Sequence, residues 1–240
     1  MSPEKKLVLF DIDKTLTYGV KSHRAAFHGA FEKIYGVKTT VDIIDHGGMT
    51  DQQIVIEVLK KKGLSEKQIK AKLPECRNFM IEKFKQAAKR EKIYAIAGAK
   101  ELLEELKKRE DVLLGLVTGN LEPIGWEKLR KAGLAHYFSF GAFGSDAIER
   151  SDLVKIAIRR AQKNYGFAKK GKVFLFGDTP RDVEAGKKAN AITIGVATGN
   201  FSSEVLKKAG ADFVVENLSE KEKILEIIYG GYKKQNPQKI

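Results

Sequence analysis

The chain has 240 residues and a net charge of +13, from 44 basic and 31 acidic side chains. A hydrophobic fraction of 42% with 13 Phe excludes a disordered chain, and 5 Pro with 22 Gly exclude a collagen-like or proline-rich one. The single cysteine, Cys76, excludes an internal disulfide, a cysteine-rich zinc site and a paired-cysteine redox centre, and it suits a reducing compartment.

The first apolar run, Leu7–Phe10, reads as a buried strand. Four residues are too few for a signal-peptide core, and no run of apolar residues is long enough to span a membrane. A cytoplasmic protein without a membrane partner is the expectation. The next strand signal comes about 100 residues later, and the stretch 20–91 between them reads as helices. Phe27, Phe31 and Ile34 share a face at helical spacing, and Thr50–Gln53 and Ser65–Gln68 spell capping boxes. Pro74 is expected to split the third helical region.

Beyond this insert the chain alternates. Strands are expected at Val112–Val117, Phe138–Phe143, Val173–Phe176, Ile192–Val196 and Phe213–Val215. Helices are expected at about 98–109, 122–133, 151–165, 180–189, 202–209 and 219–228, with Pro123 and Pro180 in first turns and a capping box at Ser219–Glu222. Such alternation predicts an α/β fold with a doubly wound parallel sheet. The expected division is a catalytic core of residues 1–18 and 95–232, a helical cap of residues 19–94 and a tail of residues 233–240.

The chemistry gathers where strands end. In open parallel sheets, ligands bind outside the carboxyl ends of the strands. Asp11-Ile12-Asp13-Lys14-Thr15 follows the first strand directly. Two carboxylates two residues apart repel one another, and a divalent cation offsets that repulsion. The second strand runs into Thr118-Gly119-Asn120, a hydroxyl and backbone amides suited to phosphate oxygens. The third is followed by Gly144-Ser145-Asp146, with Arg150 at the next helix start, and the fourth by Gly177-Asp178-Thr179-Pro180-Arg181-Asp182.

These four segments, in this order, resemble the haloacid dehalogenase superfamily, in its phosphoglycolate phosphatase-like branch. Asp11-Ile12-Asp13-Lys14-Thr15 is similar to the first motif, Asp-x-Asp-x-Thr, Thr118 to the second, and the segment Gly177–Asp182 to the fourth. The helical insert falls where the family carries its first type of cap. The third motif departs from the pattern: it usually supplies a lysine, and here Arg150 takes the aligned place, with Lys155 as a second candidate one turn later. An arginine keeps the positive charge and adds a planar fork.

The resemblance implies Mg2+ as cofactor and hydrolysis of a small phosphate ester through an aspartyl-phosphate. Asp11 would be the nucleophile and Asp13 the acid and base. Asp11, the Asp13 carbonyl and Asp178 would ligate Mg2+, with Asp182 acting through a bound water. Thr118, Gly119, Asn120 and Arg150 would hold the phosphoryl oxygens. The second carboxylate favours phosphoryl transfer over halide displacement.

Specificity is expected from the insert. Asp45–Asp51 holds two glycines before a capped helix and resembles the branch's specificity loop, while His23 and Arg24 are candidate contacts for an anionic substrate. Between Val20 and Tyr94 there are 16 basic and 9 acidic residues, a net +7 that suits a leaving group with its own negative charge: phosphoglycolate, a nucleotide or a sugar phosphate. The rival readings are a sugar-phosphate mutase, a non-catalytic phosphate-ligand protein, and a nucleic-acid-binding module. The scattered basic residues and the absence of a nucleic-acid motif disfavour the last. A monomer or homodimer is expected.

Overall fold

The computed structural model describes residues 4–230, so the expected tail lies outside the described residues. The elements run, in chain order, β1 (Lys6–Phe10), β2 (Thr17–Tyr18), α1 (Ser22–Tyr35), α2 (Asp51–Lys61), α3 (Glu66–Ala88), β3 (Tyr94–Ala95), α4 (Ala99–Lys107), β4 (Val112–Thr118), α5 (Glu122–Lys131), β5 (Gly141–Phe143), α6 (Arg150–Tyr165), β6 (Val173–Gly177), α7 (Pro180–Lys188), β7 (Ile192–Val196), α8 (Ser203–Lys208), β8 (Phe213–Val215) and α9 (Lys221–Tyr229).

Six strands form one sheet in the order β5-β4-β1-β6-β7-β8. Every pairing in it is parallel. β1 is central, and Leu7 to Phe10 have no exposed surface. Their side chains alternate between faces. Val8 and Phe10 join α4, α5 and α9 in one apolar cluster, while Leu7 and Leu9 join α6 and α7 in another. Helices on both faces leave the carboxyl edge of the sheet as the place where loops meet ligands. The α/β doubly wound class expected from the alternation is therefore the fold observed.

Helices α1, α2 and α3 surround an apolar cluster of their own, which includes Phe27, Phe31, Ile54, Leu59, Met80 and Phe84. Leu121 and Ile124, at the start of α5, pack into the same cluster. The segment leaves and rejoins the sheet through a ribbon that the sequence does not announce, in which β2 and β3 pair antiparallel over two residues each.

Three local expectations are corrected. Pro74 lies inside α3, which continues unbroken from Glu66 to Ala88. Pro74 and Lys70 are both exposed, so the proline falls on the solvent-facing side of α3, where water can take the place of the missing amide. The box expected at Ser219–Glu222 does not form: α9 begins at Lys221 without a side-chain cap, and the Ser219 amide donates to Asn217. The third sheet strand covers only Gly141–Phe143, although the Phe140 carbonyl still accepts the Leu116 amide at 3.2 Å, and Phe138 and Phe140 are buried by packing ahead of it. A capping box that was not anticipated opens α7, between Thr179 and Asp182.

Candidate active site

The turn after β1 sets the first two carboxylates. The Asp11 amide donates to the Phe176 carbonyl at 2.9 Å and so extends the β1–β6 ladder by one residue. The chain then folds back sharply: Lys14 has φ of 61°, and the Leu16 and Thr17 amides both donate to the Ile12 carbonyl at 2.9 Å. Asp11 is buried, whereas Asp13 turns toward a cavity of about 560 Å3. That cavity reaches from Asp11, Thr118 and Asp178 at the strand ends to Phe27, Val41 and Met49 of the helical segment.

Asp11, Asp178 and Asp182 come together from β1, β6 and α7. All three are buried, and one oxygen from each lies within 4.8 Å of the others. Glycines make this packing possible. A Cβ on Gly177 would sit 2.2 Å from the Asp182 carboxyl carbon, and one on Gly199 would sit 1.8 Å from Asp178 Oδ2. Gly199 therefore shapes the wall behind Asp178.

Arg150 enters this acidic group from the first turn of α6. It is buried, and it donates from Nη2 to Asp11 Oδ1 and from Nε to Asp182 Oδ1, both at 2.7 Å. Lys155, the alternative, is exposed and pairs with Asp152 at 3.2 Å, away from the cavity. Asp182 is held further by the Thr179 amide and hydroxyl at 3.1 and 2.6 Å.

One arginine does not neutralise three carboxylates. Burial pushes Asp11 up to about 7, with Asp182 and Asp13 adding repulsion against the attraction of Arg150. Burial also pushes Asp178 up to about 8, with Asp182 and Asp11 again repelling. Arg150 is driven further above its usual range by both partners, although burial opposes this. Hard oxygen donors with an excess of negative charge fit a hard divalent cation such as Mg2+.

Thr118 is fully buried at the end of β4. The chain can turn there because Gly119 lies against the Met49 carbonyl, where a Cβ would come within 2.3 Å. Asn120 offers more than the backbone amide expected of it. Its side-chain amide donates to Thr118 Oγ1 at 2.6 Å and to Asp13 Oδ2 at 2.9 Å, and its backbone amide points back to Thr118 Oγ1 at 3.3 Å. Arg24 is half-exposed and pairs with Asp42, while His23 points inward.

Lys128 was not anticipated. It projects from α5 with no exposed surface, and its Nζ lies 2.7 and 2.6 Å from the two Asp13 oxygens. It also donates to Asn120 Oδ1 at 2.6 Å. Burial would raise Asp13, but the Lys128 ammonium, with the Asn120 side-chain amide, holds the carboxyl below the usual range. The signal in the sequence is faint: Lys128 falls one turn after Ile124 and next to Leu129, on the apolar face of α5.

The loop 45–51 closes over the strand ends. Arg150 Nη1 donates to the Gly48 carbonyl at 3.3 Å, and Arg181 donates to the Gly47 carbonyl. The Thr50 hydroxyl donates to the Ile148 carbonyl at 2.7 Å, and the Asp51 amide to the Gly119 carbonyl at 2.8 Å. Gly48 has a left-handed φ of 75°, and a Cβ there would meet Thr179 Oγ1 at 2.4 Å, so no larger residue fits this contact.

A doubly wound sheet with a buried acidic cluster at its carboxyl edge, approached by a helical segment inserted after the first strand, defines the class. The chain belongs to the haloacid dehalogenase-like hydrolases, whose sequence profile it matches over residues 8–196. It is 24% identical to a phosphoglycolate phosphatase of Vibrio parahaemolyticus over 224 residues, covering 93% of this chain and 96% of that one. Among solved structures it is similar to a hydrolase from Pseudomonas syringae, with a TM-score of 0.70, 21% identity, and 94% and 99% of the two chains covered. It is also similar to a β-phosphoglucomutase from Clostridium difficile, with a TM-score of 0.68, 18% identity, and 95% and 98% covered. No helix among the described residues is long and apolar enough to cross a membrane.

Proposed function

We propose that the protein is a Mg2+-dependent phosphatase that hydrolyses a small anionic phosphomonoester through an aspartyl-phosphate on Asp11, beneath a helical cap formed by residues 19–94. The observation that carries this reading is the pairing of Asp11 with a buried arginine at 2.7 Å, inside a cluster of three buried carboxylates that this one arginine does not balance. Similarity to phosphoglycolate phosphatases along nearly the full chain supports it.

Asp11, Asp178 and Asp182, with the Asp13 carbonyl, would hold Mg2+, which neutralises charge between the nucleophile and the phosphate it must approach. Asp11 attacks phosphorus, and the bond to the leaving oxygen breaks. Asp13 gives that oxygen a proton. Asp13, then a carboxylate, takes a proton from the water that attacks the phosphorus of the aspartyl-phosphate, releasing phosphate and restoring Asp11. Lys128 favours the carboxylate form of Asp13. An arriving phosphate dianion opposes that charge and shifts Asp13 toward its acid form.

Arg150 directs its fork at Asp11 and would bridge nucleophile and phosphoryl oxygen, while Thr118 and the turn at Gly119–Asn120 would receive another oxygen. The positive helical segment favours a leaving group with its own negative charge. The loop 45–51, already bonded to the strand ends, would exclude water from the reacting centre.

Phosphate release from a panel of phosphomonoesters, with Mg2+ and with EDTA, tests the reading. Metal-dependent release is expected. Release only when a sugar bisphosphate is supplied would instead favour a mutase, the activity named for the similar Clostridium difficile structure.

A further inference from the structure

A fully buried ammonium is costly unless it is paired and hydrogen-bonded. Lys128 is the one lysine among the described residues that is buried. Its three hydrogens are shared among four acceptors: both Asp13 oxygens, Asn120 Oδ1 and, at 2.9 Å, His23 Nδ1. Facing an ammonium, Nδ1 must accept, which leaves the ring proton on Nε2. That nitrogen lies 3.0 Å from Asp51 Oδ2. The same oxygen accepts the Leu121 amide at 2.8 Å, and the Asp51 amide returns to the Gly119 carbonyl at 2.8 Å.

The contacts thus form a closed circuit. It leaves the sheet edge at Asp13, passes through Lys128 on α5 to His23 on α1 and Asp51 on α2, and returns to the turn that follows Thr118. His23 is wedged there by Phe27 and Phe84, whose ring centroids lie 5.1 and 5.9 Å away. Lys128 therefore has its position set from both sides, by the sheet edge and by the helical segment. Ion pairing alone would not require a helical segment partner, because Asp13 and Asn120 already supply three acceptor oxygens. The His23 contact makes the placement of Lys128 depend on α1 and α2 being seated.

We propose that Lys128 is a positioning residue that fixes the Asp13 carboxylate in its working direction, and that His23 and Asp51 form the clamp that sets Lys128 only when the helical segment sits on the strand ends. The inference rests on the reading of Asp13 as the group that serves the leaving oxygen. It assigns a role to three residues, one in α5 and two in the insert, and gives cap seating a direct route to the reacting carboxylate. A substrate that seats the segment aligns Asp13, whereas one that holds it off removes the His23 contact from Lys128 and loosens that alignment.

The test compares kcat/KM for an alkyl phosphate and for 4-nitrophenyl phosphate, whose leaving group needs little help from an acid. For Lys128→Met we expect the alkyl ester to lose on the order of 10²-fold while the aryl ester loses less than about tenfold. His23→Leu should reproduce the pattern with a smaller loss, and His23→Gln, which restores an acceptor oxygen, should recover part of it. A residue that merely stabilises the fold would lower both esters in parallel. Parallel losses, or an undiminished alkyl rate in Lys128→Met, overturn the proposal. Asp13→Asn run alongside separates the two layers: if it fails to discriminate between the esters, the parent reading fails, and if it discriminates while Lys128→Met does not, only the role of Lys128 fails. Should Lys128→Met not fold, the partly exposed His23 variants carry the test. Metal-free crystals of His23→Leu should then show Asp13 in more than one rotamer, and a single unchanged rotamer would contradict the clamp.

Discussion

Gly199→Ala is a mild substitution that should act almost wholly on the acidic cluster. Gly199 has no left-handed φ, so alanine suits its backbone, but the added Cβ would fall 1.8 Å from Asp178 Oδ2, 2.7 Å from its Cγ and 3.0 Å from its Cβ. Ordinary contact begins near 3.4 Å, so moving the oxygen from 1.8 to 3.4 Å requires a displacement of about 1.6 Å. The carboxylate is the end of a side chain and can yield by rotation, which leaves only the 3.0 Å contact with Asp178 Cβ for the backbone to ease by a few tenths of an ångström but removes an oxygen from a group whose members lie within 4.8 Å. Misplacement by about 1 Å can cost on the order of 10²-fold in rate. We therefore expect phosphate release at limiting Mg2+ to fall by about 10²-fold, with partial recovery at high Mg2+ and a weaker Mg2+ affinity by calorimetry. The metal-free melting temperature should hold or rise, because a buried, repelled carboxyl has been moved toward water. An unchanged Mg2+ dependence would refute the assignment of Asp178 as a ligand, and a collapsed fold would refute the argument that the side chain absorbs the clash.

Other outcomes follow from the same geometry. Asp11→Asn should abolish turnover while leaving the melting temperature close to that of the parent, as read by phosphate release and calorimetry. Arg150→Lys should restore little of the activity lost in Arg150→Met, because a point charge cannot reach both Asp11 and Asp182 as the planar fork does, and a steady-state assay decides. Asp11 and Asp178 bind protons more tightly in the folded than in the unfolded chain, so the metal-free protein should lose stability as pH rises from about 4 through 7 and 8. Urea melts at pH 5 and pH 8 in EDTA should show that fall, and Mg2+ should largely erase it; a rise with pH in EDTA would contradict it. Pro74→Ala should raise stability by about 1–3 kcal/mol, since it gives the Lys70 carbonyl an amide partner at an exposed site, and a denaturant midpoint shift measures it.

Where sequence reading worked and where it stopped has a physical pattern. Leu7–Phe10 and Val173–Phe176 are continuous apolar runs because both faces of a central strand are covered, and that signature is local. Asp11, Asp13 and Asp178 are candidates because four such segments occur in order at successive strand ends; a carboxylate pair after one buried strand also suits an ordinary polar turn. Interactions between elements are less visible. The β2–β3 ribbon is two residues per strand, too short for any periodicity. Pro74 is tolerated because of which side of α3 faces water, a tertiary fact. Lys128 looks like one more lysine among many until α1 and α2 fold down and enclose it. His23 could be suspected of meeting a substrate, but its partners Lys128 and Asp51 lie 105 and 28 residues away in sequence. The acidic cluster was legible as residues, whereas the way Arg150 divides itself between Asp11 and Asp182 was not.

The central claim is a covalent phosphoryl group on Asp11. Borohydride quenching during turnover with a cleaved phosphomonoester and Mg2+, followed by peptide mass spectrometry, tests it most directly, because reduction of an aspartyl-phosphate leaves homoserine. The account predicts homoserine at position 11 only, absent in EDTA and absent without substrate. Turnover that continues with Asp11 unmodified, or modification at another carboxylate, would contradict it.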